Sequence, residues 1–124
     1  MPKTILIVED NAVHASLVKY LLDTKGFNTV HAVSGENAHQ LARDHRPDLI
    51  IMDIQLPGIS GIDVTKAIKA DDDLKSTPII AVTAFASKRD EETMLEGGCD
   101  AYITKPFSAD HLLETVAGFL RDPA

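Results

Sequence analysis

Five short apolar runs, each followed by a stretch with helical spacing, limit this chain to very few folds. The runs Thr4–Val8, Asn28–Val33, Leu49–Met52, Ile79–Val82 and Ala101–Thr104 are rich in apolar and β-branched residues. Ile5-Leu6-Ile7-Val8 and Leu49-Ile50-Ile51-Met52 show no polar alternation, the pattern of a strand buried on both faces. After the first run, Val13, Leu17 and Leu21 share one helical face, with Lys19 and Asp23 off it, and Gly26 ends the stretch. Ser34 is placed to N-cap a helix over Gly35–His45. A Pro/Gly-rich loop over Gln55–Gly61 leads to a helix over Ile62–Ala70 and a solvated acidic turn, Asp71-Asp72-Asp73. A fourth helix is expected over about Ala86–Glu96, stopped by Gly97-Gly98. Ser108 opens the last, with Leu112, Val116 and Leu120 on one stripe.

Strands alternating with helices over such short connections call for βαβ units, hence a parallel sheet with helices on both faces. Right-handed crossovers leave few topologies, and the leading one is a doubly wound α/β fold with five strands in the order 2-1-3-4-5. The 124 residues are expected to form one domain over 1–124, with nothing left over for an output domain. At 44% apolar and 25% charged residues the composition excludes disordered and fibrous classes. Apolar runs fall far short of the ~20 residues that span a bilayer, and the chain enters its first strand with no signal peptide ahead of it. Cys99 is the one cysteine, so neither an internal disulfide nor a zinc framework is available. A cytoplasmic protein is expected. Its net charge of −7 repels nucleic acid, and no basic patch overrides that field.

In an open parallel sheet, ligands bind beyond the carboxyl ends of the strands, near the point where strand order reverses. The residues at those ends are therefore the informative ones. They are Glu9 and Asp10 after the first strand, Asp53 after the third, Thr83 after the fourth and Lys105 after the fifth. In the expected order the first and third strands are neighbours, so three carboxylates converge. Like charges at such range destabilise one another unless a cation sits among them. Carboxylate, carbonyl and water oxygens are the donors Mg²⁺ prefers. No His or Cys stands with these acids in the sequence, which argues against zinc. Asp53 follows the middle of the sheet, where a metal-bound carboxylate can act as a nucleophile toward phosphorus. Lys105 and Thr83 supply a cation and a hydroxyl for the non-bridging oxygens of a transferred phosphoryl group. Taken singly, Asp10 reads as a helix cap, Thr83 as a turn residue and Lys105 as a surface charge; their coincidence at four strand ends is what carries weight. The five histidines, His14, His31, His39, His45 and His111, are scattered without ligand spacing, and none is assigned chemistry.

The segments Ile7-Val8-Glu9-Asp10-Asn11, Leu49 to Gly58, Val82-Thr83-Ala84 and Lys105-Pro106-Phe107 resemble the receiver domain of two-component response regulators, with its CheY-like fold. The resemblance covers essentially the whole chain. Asp71-Asp72-Asp73-Leu74, Ala81 to Ala86 and Glu96-Gly97-Gly98-Cys99 resemble the stand-alone, DivK-type cell-cycle regulators in particular. The resemblance implies that Asp53 accepts a phosphoryl group from a histidine kinase or phosphotransferase protein. It implies Mg²⁺ bound by Asp10, Asp53 and the backbone carbonyl of Gln55, with Glu9 holding a metal-bound water. Thr83 and Lys105 would each hold a phosphoryl oxygen, and Tyr102 would be the switch aromatic that turns inward once Thr83 moves. A cis Lys105–Pro106 bond is implied as well, and Gln55 and Phe85 fall at positions that tune phosphoryl lifetime. Output would be contact with a downstream kinase or phosphatase rather than catalysis.

Rival functions weigh less. A phosphatase working through an aspartyl phosphate wants an acid two residues after the nucleophile, where Gln55 stands. A flavin phosphate loop needs Ser, Thr or Gly after the first strand, where acids stand, and a cobalamin site needs histidine in place of Gln55. A pseudo-receiver acting without phosphorylation has no need of the intact acid, Thr and Lys set. If the acids repel one another, Asp53→Asn without Mg²⁺ should be at least as stable as wild type; a clear drop in melting temperature would show that they do not.

Overall fold

A computed structural model describes residues 2–84 and 87–120. Phe85 and Ala86, the latter the expected start of the fourth helix, lie outside the described residues. The elements alternate as expected: β1 (Thr4–Val8), α1 (Ala12–Asp23), β2 (Asn28–Ala32), α2 (Gly35–His45), β3 (Leu49–Asp53), α3 (Gly61–Lys69), β4 (Ile79–Thr83), α4 (Lys88–Glu96), β5 (Ala101–Thr104) and α5 (Ala109–Leu120). All strand pairs are parallel, in the order β2-β1-β3-β4-β5. β3 and β4 are buried at every position, whereas β2, the polar edge strand, buries only Ala32.

Because successive strand residues point to opposite faces, the two halves of each apolar run feed two separate cores. Leu6, Val8, Ile50, Met52, Ile79 and Ala81 pack against α2, α3 and α4 through Ala38, Ala42, Val64, Ile68 and Met94. Ile5, Ile7, Ile51, Ile80, Val82 and Ile103 pack against α1 and α5 through Val18, Leu22, Leu112 and Val116. The sheet is thus covered on both sides, and its polar residues are left to the strand ends.

Several local expectations change. Of the stripe Val13, Leu17, Leu21 only Leu21 packs against the core: Val13 is 76% and Leu17 53% exposed, and the buried residues of α1 are Ala15, Val18 and Leu22. Apolar residues occupy enough of α1 to fit two stripes, and the one through Val18 and Leu22 packs into the core. The Asn11 side chain accepts from the Val13 and His14 N–H groups and fixes where the helix begins. Ser34 sits at the N-cap of α2 but makes no cap bond; its hydroxyl donates to Asn37 Oδ1 at 3.1 Å. The acidic turn is only partly solvated. Asp71 is held by Arg43 and by His39 Nε2 at 2.9 Å, and these contacts keep its carboxyl down at about 2.

Gly61 brings α3 against the end of β3. A Cβ there would lie 2.2 Å from the Asp53 carbonyl oxygen and 2.8 Å from the Ile54 Cα, backbone that cannot step aside. Gly118, in the exposed part of α5, has nothing within 4 Å of that position. Gly61→Ala should therefore cost about 2 kcal/mol or more through overpacking. Gly118→Ala should add about 0.5–1 kcal/mol of stability through helix propensity. Urea unfolding of both variants checks the pair, and equal effects would contradict the close approach at Gly61.

Candidate functional site

The strand ladder delivers each of the expected side chains to one end of the sheet. Asp53 and Thr83 are the last residues of β3 and β4, paired in register with Val82 and Thr104. They are therefore held by sheet hydrogen bonds, not by loops. Glu9 leaves β1 with its N–H still donating to the Ala32 carbonyl at 3.1 Å, and Lys105 leaves β5 donating to the Thr83 carbonyl at 2.7 Å. The Lys105–Pro106 bond is cis.

Glu9 and Asp53 are only 6% and 5% exposed, while Asp10 beside them is open to solvent. Oxygens of all three lie within 4.8 Å of one another. Lys105 Nζ stands 3.5 Å from Asp53 Oδ2 and 3.7 Å from Glu9 Oε1, bridging the two buried acids. Its charge does not offset the burial of Glu9. The Glu9 pKa is pushed up to about 8, chiefly by desolvation, then by the adjoining Asp53 carboxyl and its charge, with Asp10 adding and Lys105 opposing. Glu9 Oε2 is buried without a hydrogen-bond partner among the described residues. A buried, unsatisfied acceptor among clustered carboxylates fits a hard divalent cation, whose charge would remove both penalties.

Three side chains bear on this site in ways that chain position does not reveal. His14 and His31, to which spacing assigned no chemistry, both meet Glu9. His14 Nδ1 lies 3.2 Å from Glu9 Oε1, and His31 Nε2 lies 2.7 Å from the Glu9 carbonyl oxygen. The His14 imidazole thus stands beside the acids, and that of His31 beside the Glu9 backbone. His14 follows the Asn11 cap by one helical turn, which was the available signal; His31 arrives from a different strand and had none. Gln55 is the third. Its side chain reaches across to Thr83 Oγ1 at 2.6 Å and accepts from the Ala84 N–H at 3.1 Å. Tyr102 lies on β5 opposite Ala81, half-buried against the core on the α4 side. Glu91 raises its phenol pKa, first by charge, with burial and a hydrogen bond adding. A cavity of about 330 Å³ adjoins Glu9, Asp53 and Lys105, walled by Leu17, Val82 and Phe107 among others.

Two buried acids bridged by a lysine thus stand at the carboxyl end of a doubly wound sheet. The chain belongs to the response regulator receiver domain family, whose model matches residues 5–117. It is 52% identical over 122 residues to the polar-differentiation response regulator DivK of Brucella anthropi, covering 98% of this chain and 99% of that protein. Among solved structures it is similar to the chemotaxis protein CheY4 of Vibrio cholerae, with a TM-score of 0.92 at 28% identity over 97% of this chain and all of that one (100%). It is also similar to the receiver domain of a Pseudomonas aeruginosa sensor histidine kinase, with a TM-score of 0.90 at 32% identity, covering 98% of this chain and 100% of that one. That structure holds a magnesium ion coordinated in its active-site cleft. No described helix here is long and apolar enough to cross a membrane.

The raised Glu9 pKa makes the cation-free protein pH-sensitive. The folded state keeps a proton that the unfolded chain gives up near 4.5, so the stabilisation is complete below 4.5 and is lost as pH rises toward about 8. With divalent cations chelated, the melting temperature should fall across that interval. Glu9→Gln should flatten the profile, and an equally steep profile in the variant would remove Glu9 as its cause.

Proposed function

We propose that this chain is a phosphoryl-accepting switch formed by one receiver domain over 1–124, whose output is protein contact. An Asp53 carboxylate oxygen attacks the phosphorus of a phosphohistidine on a sensor kinase or phosphotransferase protein. The new O–P bond gives an acyl phosphate, the P–N bond breaks, and the imidazole leaves with the bond's electron pair to be protonated. Lys105, already 3.5 Å from Asp53, takes the charge of one phosphoryl oxygen, and the Thr83 hydroxyl donates to another. Asp10, Asp53 and the backbone carbonyl of Gln55 would hold Mg²⁺, and Glu9 would hold one of its waters. Bound there, the ion would neutralise the clustered acids and the charge that develops on the phosphoryl oxygens. The observation that carries this proposal is Lys105 bridging two buried carboxylates at adjoining strand ends.

The phosphoryl group biases a two-state equilibrium by interacting better with one state. Thr83, drawn toward Asp53, vacates space on the Tyr102 side of β4, and Tyr102 turns into it, leaving Glu91. The face formed by β4, α4 and β5 is thereby remodelled for a partner. The name of the Brucella relative supports a role in cell-cycle or cell-fate control, with downstream kinases or phosphatases as the proteins modulated. The net charge of −7 supports protein rather than nucleic-acid partners, and the composition supports a cytoplasmic location.

Intact-protein mass after incubation with acetyl phosphate tests this. One phosphoryl group should be gained with Mg²⁺ and none with Mg²⁺ chelated, and Asp53→Asn should gain none in either case. A variant modified at the wild-type rate would overturn the assignment. Wild type that binds Mg²⁺ yet takes no phosphoryl group from acetyl phosphate or a phosphorylated kinase would favour a pseudo-receiver.

A further inference from the structure

Gln55 ties the acceptor strand to its neighbour. Its backbone N–H donates to Asp53 Oδ1 at 3.0 Å, while its side chain crosses to the end of β4. There the Ala84 N–H donates to Gln55 Oε1 at 3.1 Å. A backbone N–H can only donate, so this bond fixes which way the carboxamide faces and leaves Nε2 toward Thr83. Nε2 donates to Thr83 Oγ1 at 2.6 Å. One carboxamide therefore engages both polar groups at the carboxyl end of β4, the hydroxyl and the next backbone amide. Thr83 is buried and Gln55 half-buried, so water competes poorly for the bond between them, while the Ala84 bond lies open to solvent.

The Ala84 bond has the chemistry of a contact that a phosphoryl group on Asp53 would seek, and the Thr83 bond engages the hydroxyl such a group would draw away. An amide oxygen on the Ala84 N–H occupies the place of a phosphoryl oxygen, and the Thr83 hydroxyl cannot stay on Nε2 and also swing to Asp53. We propose that Gln55 is a positioning residue that latches the end of β4 in the unphosphorylated state, and that phosphorylation must displace its carboxamide. This rests on the phosphoryl-acceptor function proposed above. Glutamine has the length and the polar atoms for this latch; asparagine is one methylene shorter, and with glutamate the Thr83 hydroxyl would have to donate rather than accept. Because the latch is made in the inactive state and broken in the active one, it lowers the affinity of the protein for a phosphoryl group.

The test compares wild type, Gln55→Met, which keeps length and loses both polar atoms, Gln55→Ala and Asp53→Asn. Affinity for beryllium fluoride, a tetrahedral stand-in for a phosphoryl group on a carboxylate, is measured at saturating Mg²⁺ by ¹⁹F NMR. Solvent exchange of the Ala84 amide proton is measured in the ligand-free proteins, and melting temperatures identify any variant that does not fold. Loss of two net hydrogen bonds should tighten binding roughly fivefold or more in both Gln55 variants and speed Ala84 exchange. Merely structural damage would instead weaken binding. Wild type that binds, with variants no tighter, would overturn the latch alone. Wild type that binds no better than Asp53→Asn would overturn the phosphoryl-acceptor function and the latch with it.

Discussion

Glu9 and Asp53 are buried beside one another, with the Lys105 ammonium 3.7 and 3.5 Å from them. Two carboxylates out of water repel each other and each loses hydration, so the arrangement stands only because the sheet around it is rigid. The rest of the structure follows from keeping them there. β1 and β3 lie side by side because the order reverses between β2 and β3. β4 and β5 then continue outward from β3, which brings Thr83 and Lys105 to the same end. Stability is taken from the strands' apolar middles and function from their polar ends, so the two demands fall on different residues.

That separation lets a small fold carry strained electrostatics. The orphaned Glu9 Oε2 and the raised Glu9 pKa would be defects in a core; among clustered carboxylates at the strand ends they fit a cation. Gln55 plays the matching part on the other side of Asp53, engaging the Thr83 hydroxyl and the Ala84 amide while no phosphoryl group is present. The Thr83 hydroxyl and the Ala84 amide are thus both satisfied within the molecule by one carboxamide.

Periodicity carried the fold this far because both-face burial leaves an unmistakable mark: four of the five residues of β1, and every residue of β3 and β4, are buried. Which stripe of α1 turns inward was not legible, since apolar residues lie on both candidate faces and packing against the sheet and α5 separates them. The acidic turn misled for a similar reason. Asp71 looks like its neighbours Asp72 and Asp73 in the chain, but α2 brings His39 and Arg43 to it and not to them in the same way.

Chain order alone was enough to predict the strand order, the ends at which chemistry could sit and the identity of Glu9, Asp10, Asp53, Thr83 and Lys105 as its candidates. Strand ends are one-dimensional features: a polar residue closing an apolar run is visible without knowing what lies beside it. Contacts that depend on two strands at once emerged only on folding. His31 reaches the Glu9 carbonyl from β2, Lys105 bridges from β5 to acids beyond β1 and within β3, and Gln55 crosses to β4. Side-chain length and direction across neighbouring strands set those bonds, and no spacing along the chain encodes them.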